Sequence, residues 1–130
     1  MTLTSLDSNV VLRLVLNDIP EQATRAAQFV SRSNCYVTDV VVAECVFVLE
    51  KVYRLDRNLV KDFMTTLFEL TTVSFTEALI EKTFDLYVTR PTLSFVDCYS
   101  IVEATSEMNR VVTFDQAILK KFAAIAKEPR

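Results

Sequence analysis

Short apolar segments alternate along this chain with longer stretches in which apolar residues recur at every third or fourth position. Short segments between turn residues are typical of β-strands, and the three-to-four spacing is typical of amphipathic helices. The sequence predicts strands over residues 2–6, 34–38, 71–75 and 110–114. It predicts helices over residues 8–16, 21–31, 39–53, 58–70, 77–88, 94–108 and 116–124.

This order of elements predicts an α/β fold. Strands that alternate with helices form a mostly parallel sheet with helices on both faces, and ligands bind there beyond the carboxyl ends of the strands. The third and fourth helices follow each other directly, so we expect a helical hairpin. A length of 130 residues with 51% hydrophobic residues predicts one domain over residues 1–130. Residues 126–130 are expected to be loose.

Two residue types that many enzymes require are absent, because the chain has no histidine and no glycine. Without histidine there is no Ser-His-Asp or Cys-His pair and no histidine-ligated zinc. Without glycine there is no Walker A loop and no dinucleotide-binding fingerprint, since both need backbone that approaches phosphates closely. Proton transfer in any active site must therefore use carboxylates or metal-activated water.

A net charge of −3 argues against broad, nonspecific attraction to nucleic acid. A bound metal would reverse the local sign of an acidic site. A local track for phosphates could still be built from six basic residues, which are Arg13, Arg54, Arg57, Lys61, Arg90 and Arg110.

Cysteine content and hydropathy indicate the compartment. The three cysteines, Cys35, Cys45 and Cys98, are widely spaced within apolar runs, which predicts reduced, buried thiols. The apolar runs are too short to span a membrane, and the first residues do not resemble a signal peptide. We therefore expect a cytoplasmic protein that does not bind membranes.

Two aspartates directly follow predicted strands. Asp7 follows the first strand and Asp115 follows the fourth, so both side chains are expected at the carboxyl edge of the sheet, where a metal would bind. An equally ordinary role for each is to cap the helix that follows.

Glu44 lies within the most apolar predicted helix. Its neighbours at three and four positions are Val40, Val41, Phe47 and Val48, which places Glu44 on a stripe expected to be buried. A buried carboxylate needs a partner, because leaving it unpaired costs several kcal/mol. The partner is either a metal ion or an arginine.

Asp97 shares a helical face with Leu93, Ile101 and Ala104. Ser94 stands three residues earlier, which matches a capping box that would engage the Asp97 carboxylate with backbone. Metal binding and capping are both compatible with this pattern.

Taken together, the four carboxylates are expected to converge on one edge of the sheet. Clustered carboxylates repel each other unless a cation neutralises them, and a set of hard oxygen ligands favours Mg²⁺ or Mn²⁺. Such a metal site suits hydrolysis of phosphodiester bonds.

Four segments resemble, in order, the motifs of PIN-domain ribonucleases, in particular the VapC-type toxins of bacterial toxin–antitoxin pairs. They are LDSNVVLRLVLND, VVVAECVFVLEKVY, SFVDCYSIVEA and VVTFD, and the resemblance covers nearly the whole chain. Family members often have a glycine where this chain has Asn109, and many have a final edge strand for which the last residues here offer little.

The resemblance implies a three-layer α/β/α sandwich with a mostly parallel sheet of four to five strands. It also implies a Mg²⁺- or Mn²⁺-dependent endoribonuclease, with transfer RNA as the family-based expectation for the substrate. The expected partners are a second copy of the chain in a homodimer and an inhibitory antitoxin protein. The residues expected to bind metal and catalyse are Asp7, Glu44, Asp97 and Asp115, with Asn9 and Thr113 as polar support.

An antitoxin is expected to cover apolar surface near Phe47, Tyr53, Phe63 and Phe68. The alternative is that these aromatic side chains fill the core between the helices. Rival functions are a non-catalytic PIN-like module that binds RNA or protein, a receiver-type phosphoacceptor and an Asp-nucleophile phosphatase. The receiver needs an acidic pair and a suitably placed lysine, and the phosphatase needs a second aspartate at position 9, where this chain has Asn9.

Overall fold

The computed structural model describes residues 2–130, which form seven helices and five strands. The strands are β1 (Thr4–Ser5), β2 (Cys35–Tyr36), β3 (Val73–Ser74), β4 (Val111–Val112) and β5 (Ala126–Lys127). The helices are α1 (Ser8–Leu16), α2 (Pro20–Ser31), α3 (Asp39–Lys51), α4 (Arg57–Phe68), α5 (Glu77–Thr89), α6 (Phe95–Ser106) and α7 (Gln116–Lys121).

The chain divides into two compact units, Met1–Glu77 and Ala78–Arg130. In the first unit, three parallel strands pair in the order β1-β2-β3, with Thr4 opposite Cys35 and Cys35 opposite Val73. Helix α1 packs against α2, α3 and α4. Helix α3 also packs against α4, which confirms the predicted helical hairpin.

The core of the first unit is made of aliphatic side chains and two cysteines that are almost fully inaccessible to solvent. These residues include Leu6, Val11, Val30, Cys35, Val42, Cys45, Val46, Leu49, Val60, Met64 and Leu67. Burial of this kind stabilises the fold through the removal of apolar surface from water.

Helix starts in the first unit have a local cause in the sequence. The side chain of Thr38 accepts a hydrogen bond from Val41 N at the start of α3, and that of Asp56 accepts one from Leu59 N at the start of α4. Such caps satisfy backbone N–H groups that have no partner inside the helix. The predicted helix starts therefore lie within one residue of those observed.

Three residues other than glycine have positive φ angles among residues 2–130, namely Asn17 (51°), Arg54 (56°) and Met108 (58°). Asn17 ends α1 in this left-handed conformation, and its N–H donates to the carbonyl of Arg13. Glycine normally occupies such positions, and the chain has none.

The second unit, Ala78–Arg130, contains most of α5 together with α6, α7 and two strands. Its interior includes a cluster of aromatic rings in which Phe84 and Phe95 lie 4.9 Å apart and Tyr87 and Phe95 lie 5.6 Å apart, measured between ring centroids. Edge-on and tilted geometries like these are favourable for aromatic pairs.

Strands β4 and β5 pair in parallel, with Val111 opposite Ala126 and Val112 opposite Lys127. The prediction of a loose tail over residues 126–130 was therefore wrong for Ala126 and Lys127, which form this strand. The error has a physical reason: pairing to β4 uses backbone groups, which an unremarkable side-chain pattern such as AAIAK does not reveal.

The predicted α/β class with parallel strands is confirmed, with each strand pair parallel among the described residues. The strands are shorter than predicted, with two residues each. All three cysteines are free and buried, as predicted. None of the described helices is long and apolar enough to cross a membrane. The prediction of one domain over residues 1–130 stays a prediction.

Candidate functional site

Asp7 stands between β1 and α1 and is exposed to solvent. Its Oδ1 accepts a hydrogen bond of 2.8 Å from Ser8 N, so Asp7 is the N-cap of α1. Within residues 2–130, Oδ2 accepts no hydrogen bond. The capping role foreseen for Asp7 is confirmed, and it leaves Oδ2 without a hydrogen-bond donor in the described chain.

Glu44 lies in the middle of α3 and is exposed, so the prediction that it lies on a buried stripe was wrong. On the same side of the helix, Val40 is 76% exposed and Phe47 is 61% exposed. The buried residues of α3 are Val42, Cys45, Val46 and Leu49. Apolar residues surround almost the whole circumference of α3, so their spacing did not identify the inward face.

The sequence analysis expected a metal ion or an arginine beside Glu44 because the carboxylate was thought to be buried, and the observed position requires neither. The Glu44 carboxylate forms no ion pair and no hydrogen bond with another residue in the described part of the chain. Its exposure removes the energetic need for one, because water solvates the charge. What remains is an accessible carboxylate on an apolar surface.

Cys45 shows that Asp7 and Glu44 lie in the same region of the first unit. Burial, followed by the negative charges of Glu44 and Asp7, raises the pKa of the Cys45 thiol to about 12. The Cys45 Sγ donates a hydrogen bond of 3.7 Å to the carbonyl of Ser8, the residue after Asp7. Packing of α1 against α3 thus brings two of the four predicted carboxylates together.

A cavity of about 820 Å³ opens beside Asp7. One wall comes from β1 and α1 and the other from α2. Asn9, predicted as polar support, also lines it. The complete lining consists of Thr4, Ser5, Leu6, Asp7, Asn9, Val10, Arg13, Gln22, Arg25, Ala26, Gln28, Phe29 and Arg32.

Asp97 forms the capping box foreseen from the sequence. Its Oδ2 accepts a hydrogen bond of 3.3 Å from Ser94 N, while Ser94 Oγ accepts one of 3.1 Å from Asp97 N. The side chain is half-buried in the first turn of α6. The box fixes the Asp97 carboxylate at the helix N-terminus, where the helix dipole favours negative charge.

Asp115 follows β4 and caps α7, as its position in the sequence allows. Its Oδ1 accepts hydrogen bonds from Ala117 N at 2.9 Å and Ile118 N at 3.2 Å. Thr113 Oγ1 accepts a bond of 2.9 Å from Asp115 N, so this threonine positions the aspartate through its backbone. The second carboxylate oxygen, Oδ2, accepts no hydrogen bond among residues 2–130.

The four carboxylates divide equally, with Asp7 and Glu44 in the first unit and Asp97 and Asp115 in the second. Within either unit, residues 2–130 contain no group of three or more His, Cys, Asp or Glu side chains that could hold a metal ion. The donor chemistry fits Mg²⁺ or Mn²⁺, since both prefer carboxylate oxygens.

The PIN-domain family model matches residues 5–126, a range that contains all four carboxylates and reaches into both units. This chain belongs to the PIN-domain family. PIN domains have an α/β fold consistent with the predicted three-layer α/β/α sandwich, and they are in general nucleases, that is, hydrolases, which generally bind RNA and typically use divalent metals. No curated protein matches the chain.

The sequence analysis overlooked Arg25 and Arg32, which line the cavity of this PIN domain. Both are exposed, and neither guanidinium forms an ion pair or hydrogen bond within residues 2–130. The available signal was their spacing of seven residues, about two helical turns, which places Arg25 of α2 and the C-cap residue Arg32 on the same side. Of the basic residues considered earlier, Arg13 lines the cavity, but its Nη1 is paired with Asp18 Oδ1 at 3.2 Å.

Proposed function

We propose that this PIN domain is a metal-dependent endoribonuclease in which Asp7, Glu44, Asp97 and Asp115 bind Mg²⁺ or Mn²⁺ and catalyse hydrolysis. The supporting observation is that the match over residues 5–126 includes an aspartate in the β1–α1 connection and another in the β4–α7 connection. Both aspartates have one oxygen bound by helix N–H groups and a second oxygen without such a bond.

The capping bonds give these carboxylates a catalytic advantage. A side chain held by backbone N–H groups has already lost its rotational freedom, so it binds a ligand without a further ordering cost. Asp97 is held in the same manner by its capping box. When bound, Mg²⁺ or Mn²⁺ supplies positive charge that polarises a phosphoryl oxygen and activates water.

Glu44 differs from the three aspartates because nothing in the described chain restrains its carboxylate. A mobile, solvent-accessible carboxylate can accept a proton from attacking water and release it to solvent. The chain has no histidine to perform that transfer. We therefore assign Glu44 a role in proton transfer in addition to metal binding.

The more specific role proposed is that of a VapC-type toxin that acts on structured RNA such as transfer RNA, forms a homodimer and is inhibited by an antitoxin. Exposed apolar side chains support a protein partner, since Phe47 is 61% and Tyr53 is 37% exposed. Phe63 and Phe68 are half-buried, and the Phe68 ring stacks on Phe75 at 4.1 Å. The expected partner surface is therefore reduced to Phe47 and Tyr53.

Cleavage of a pool of structured RNAs with Mg²⁺ or Mn²⁺ tests the proposal. We expect EDTA to abolish cleavage, and Asp7→Asn and Glu44→Gln to reduce it at least about 100-fold, the usual scale for loss of an acid–base or charge-stabilising group. The matched control is Asp56→Asn, because Asp56 caps α4 as Asp7 caps α1 but is not in the proposed set. Asparagine caps helices as well as aspartate does.

Cleavage that persists in EDTA, or that is lost equally in Asp56→Asn, would contradict the proposal. RNA binding by a folded, metal-loaded protein without cleavage would indicate a non-catalytic PIN-like module.

A further inference from the structure

The cavity beside Asp7 has a basic wall that the proposed chemistry does not use. Arg25 and Phe29 lie on the same face of α2, Arg32 is the C-cap residue that follows its last turn, and all three line the cavity. The rise along the helix separates Arg25 from Arg32 by about 10 Å.

The charges of these arginines are not compensated locally. Glu21 is four residues before Arg25 but does not form an ion pair with it, and Arg32 has no acidic partner in the described chain. Arg13 on the opposite wall is paired with Asp18. In a protein of net charge −3, two unpaired arginines on one wall form a local site for anions.

The side chain between the arginines indicates which kind of anion. Phe29 is 37% exposed, and its aromatic side chain lines the cavity. Nucleic acid single strands are typically bound by basic side chains that contact phosphates and aromatic rings that stack on bases. An acidic polypeptide would gain less from the ring, because it carries no bases to stack.

We propose that Arg25 and Arg32 bind two backbone phosphates of a single-stranded segment of the substrate RNA, with a base stacked on Phe29 between them. This inference rests on the proposed function, since it places the bound strand alongside Asp7. Asn9, Gln22 and Gln28 provide hydrogen-bonding groups around the same strand. The wall is thus a substrate-binding site that extends beyond the four carboxylates.

The test measures binding in EDTA, so that cleavage does not interfere. A fluorescent single-stranded RNA of about 12 nucleotides, within the size range of such sites, is titrated with wild-type protein, Arg25→Gln/Arg32→Gln and Arg25→Lys/Arg32→Lys. The matched control is Lys51→Gln/Lys82→Gln, which removes the same charge from exposed positions outside the cavity.

We expect Arg25→Gln/Arg32→Gln to bind at least about tenfold more weakly. Its slope of log K against log salt concentration should be flatter by about 1.4, because each phosphate contact on a single strand contributes roughly 0.7. The lysine variant should retain the wild-type slope, and the Lys51→Gln/Lys82→Gln control should retain both slope and affinity.

An unchanged slope in Arg25→Gln/Arg32→Gln would overturn the inference, even if RNA cleavage with Mg²⁺ is normal. Normal binding with the expected slope change but no cleavage would contradict the proposed nuclease function and leave the binding site in place. Polyglutamate that binds the wild type more tightly than RNA does, with the preference lost in Arg25→Gln/Arg32→Gln, would assign the wall to an acidic polypeptide and overturn the RNA assignment.

Discussion

At the scale of single residues, all three aspartates among the four proposed site carboxylates also cap helices. Asp7, Asp97 and Asp115 each accept a hydrogen bond from backbone at the start of α1, α6 or α7. A capping aspartate contributes about 1 kcal/mol to stability, and the bond also fixes the direction of its second oxygen. Structural and catalytic use of the same side chain are therefore compatible, and mutations can separate them.

Replacement of Asp7 separates the two uses. We expect Asp7→Ala to lower the free energy of unfolding by about 1 kcal/mol, because alanine cannot cap α1, whereas Asp7→Asn keeps the cap and the stability. Both variants should lose RNA cleavage, because neither has a carboxylate at position 7. Urea unfolding together with the cleavage assay measures this. Equal loss of stability in the two variants would show that the charge of Asp7, not its capping bond, stabilises the helix.

At the scale of secondary-structure elements, α3 shows where prediction from sequence reached its limit. Its start at Asp39 was predicted correctly, because Thr38 supplies a cap that depends only on neighbouring residues. Its inward face was not, because apolar residues occur on nearly every side of the helix. The same holds for β5, whose pairing with β4 depends on residues distant in sequence. Local interactions are visible in a sequence, while the choice of packing partner is not.

Two adjacent residues on α3 test its orientation. Val46 is 1% exposed and Phe47 is 61% exposed. We expect Val46→Ser to lower the free energy of unfolding by roughly 2–4 kcal/mol, since it opens a cavity and buries a hydroxyl. We expect Phe47→Ser to change it by no more than about 0.5 kcal/mol, as is usual at exposed positions.

Chemical denaturation of the two variants distinguishes the faces. A larger loss in Phe47→Ser than in Val46→Ser would mean that the outer side of α3 is covered in solution, which would itself indicate a bound second copy.

At the scale of the whole molecule, three of the four proposed acidic positions, Asp7, Asp97 and Asp115, stand at helix starts that local sequence order predicts. Their joint role as one site stays a prediction. Glu44 was chosen for a reason that the structure contradicts, its burial, and its place in the proposal now rests on membership of the PIN family. The spacing of Arg25 and Arg32 was visible in the sequence, but the cavity that they line was not, because it forms only when α1 and α2 pack together.

Metal binding should be visible in the stability of the intact protein. A ligand that binds only the folded state, at about 100 times its Kd, adds roughly 2.7 kcal/mol. We expect Mn²⁺ to raise the Tm of the wild type by several degrees, and the Asp7→Asn/Asp97→Asn variant to show no rise. The control Asp56→Asn/Asp62→Asn removes two carboxylates outside the proposed set. A rise that is equal in both double variants would place the metal elsewhere.

The three residues with positive φ angles lower the stability of this protein, and substitution by glycine could recover part of the loss. An L-residue at positive φ costs on the order of 1 kcal/mol, a cost that glycine would not incur. Asparagine tolerates the conformation because its short polar side chain can form local hydrogen bonds, whereas Arg54 and Met108 lack such a side chain. Replacement of Arg54 or Met108 by glycine could therefore offset the loss of stability caused by a new, destabilising residue in the basic wall of the cavity.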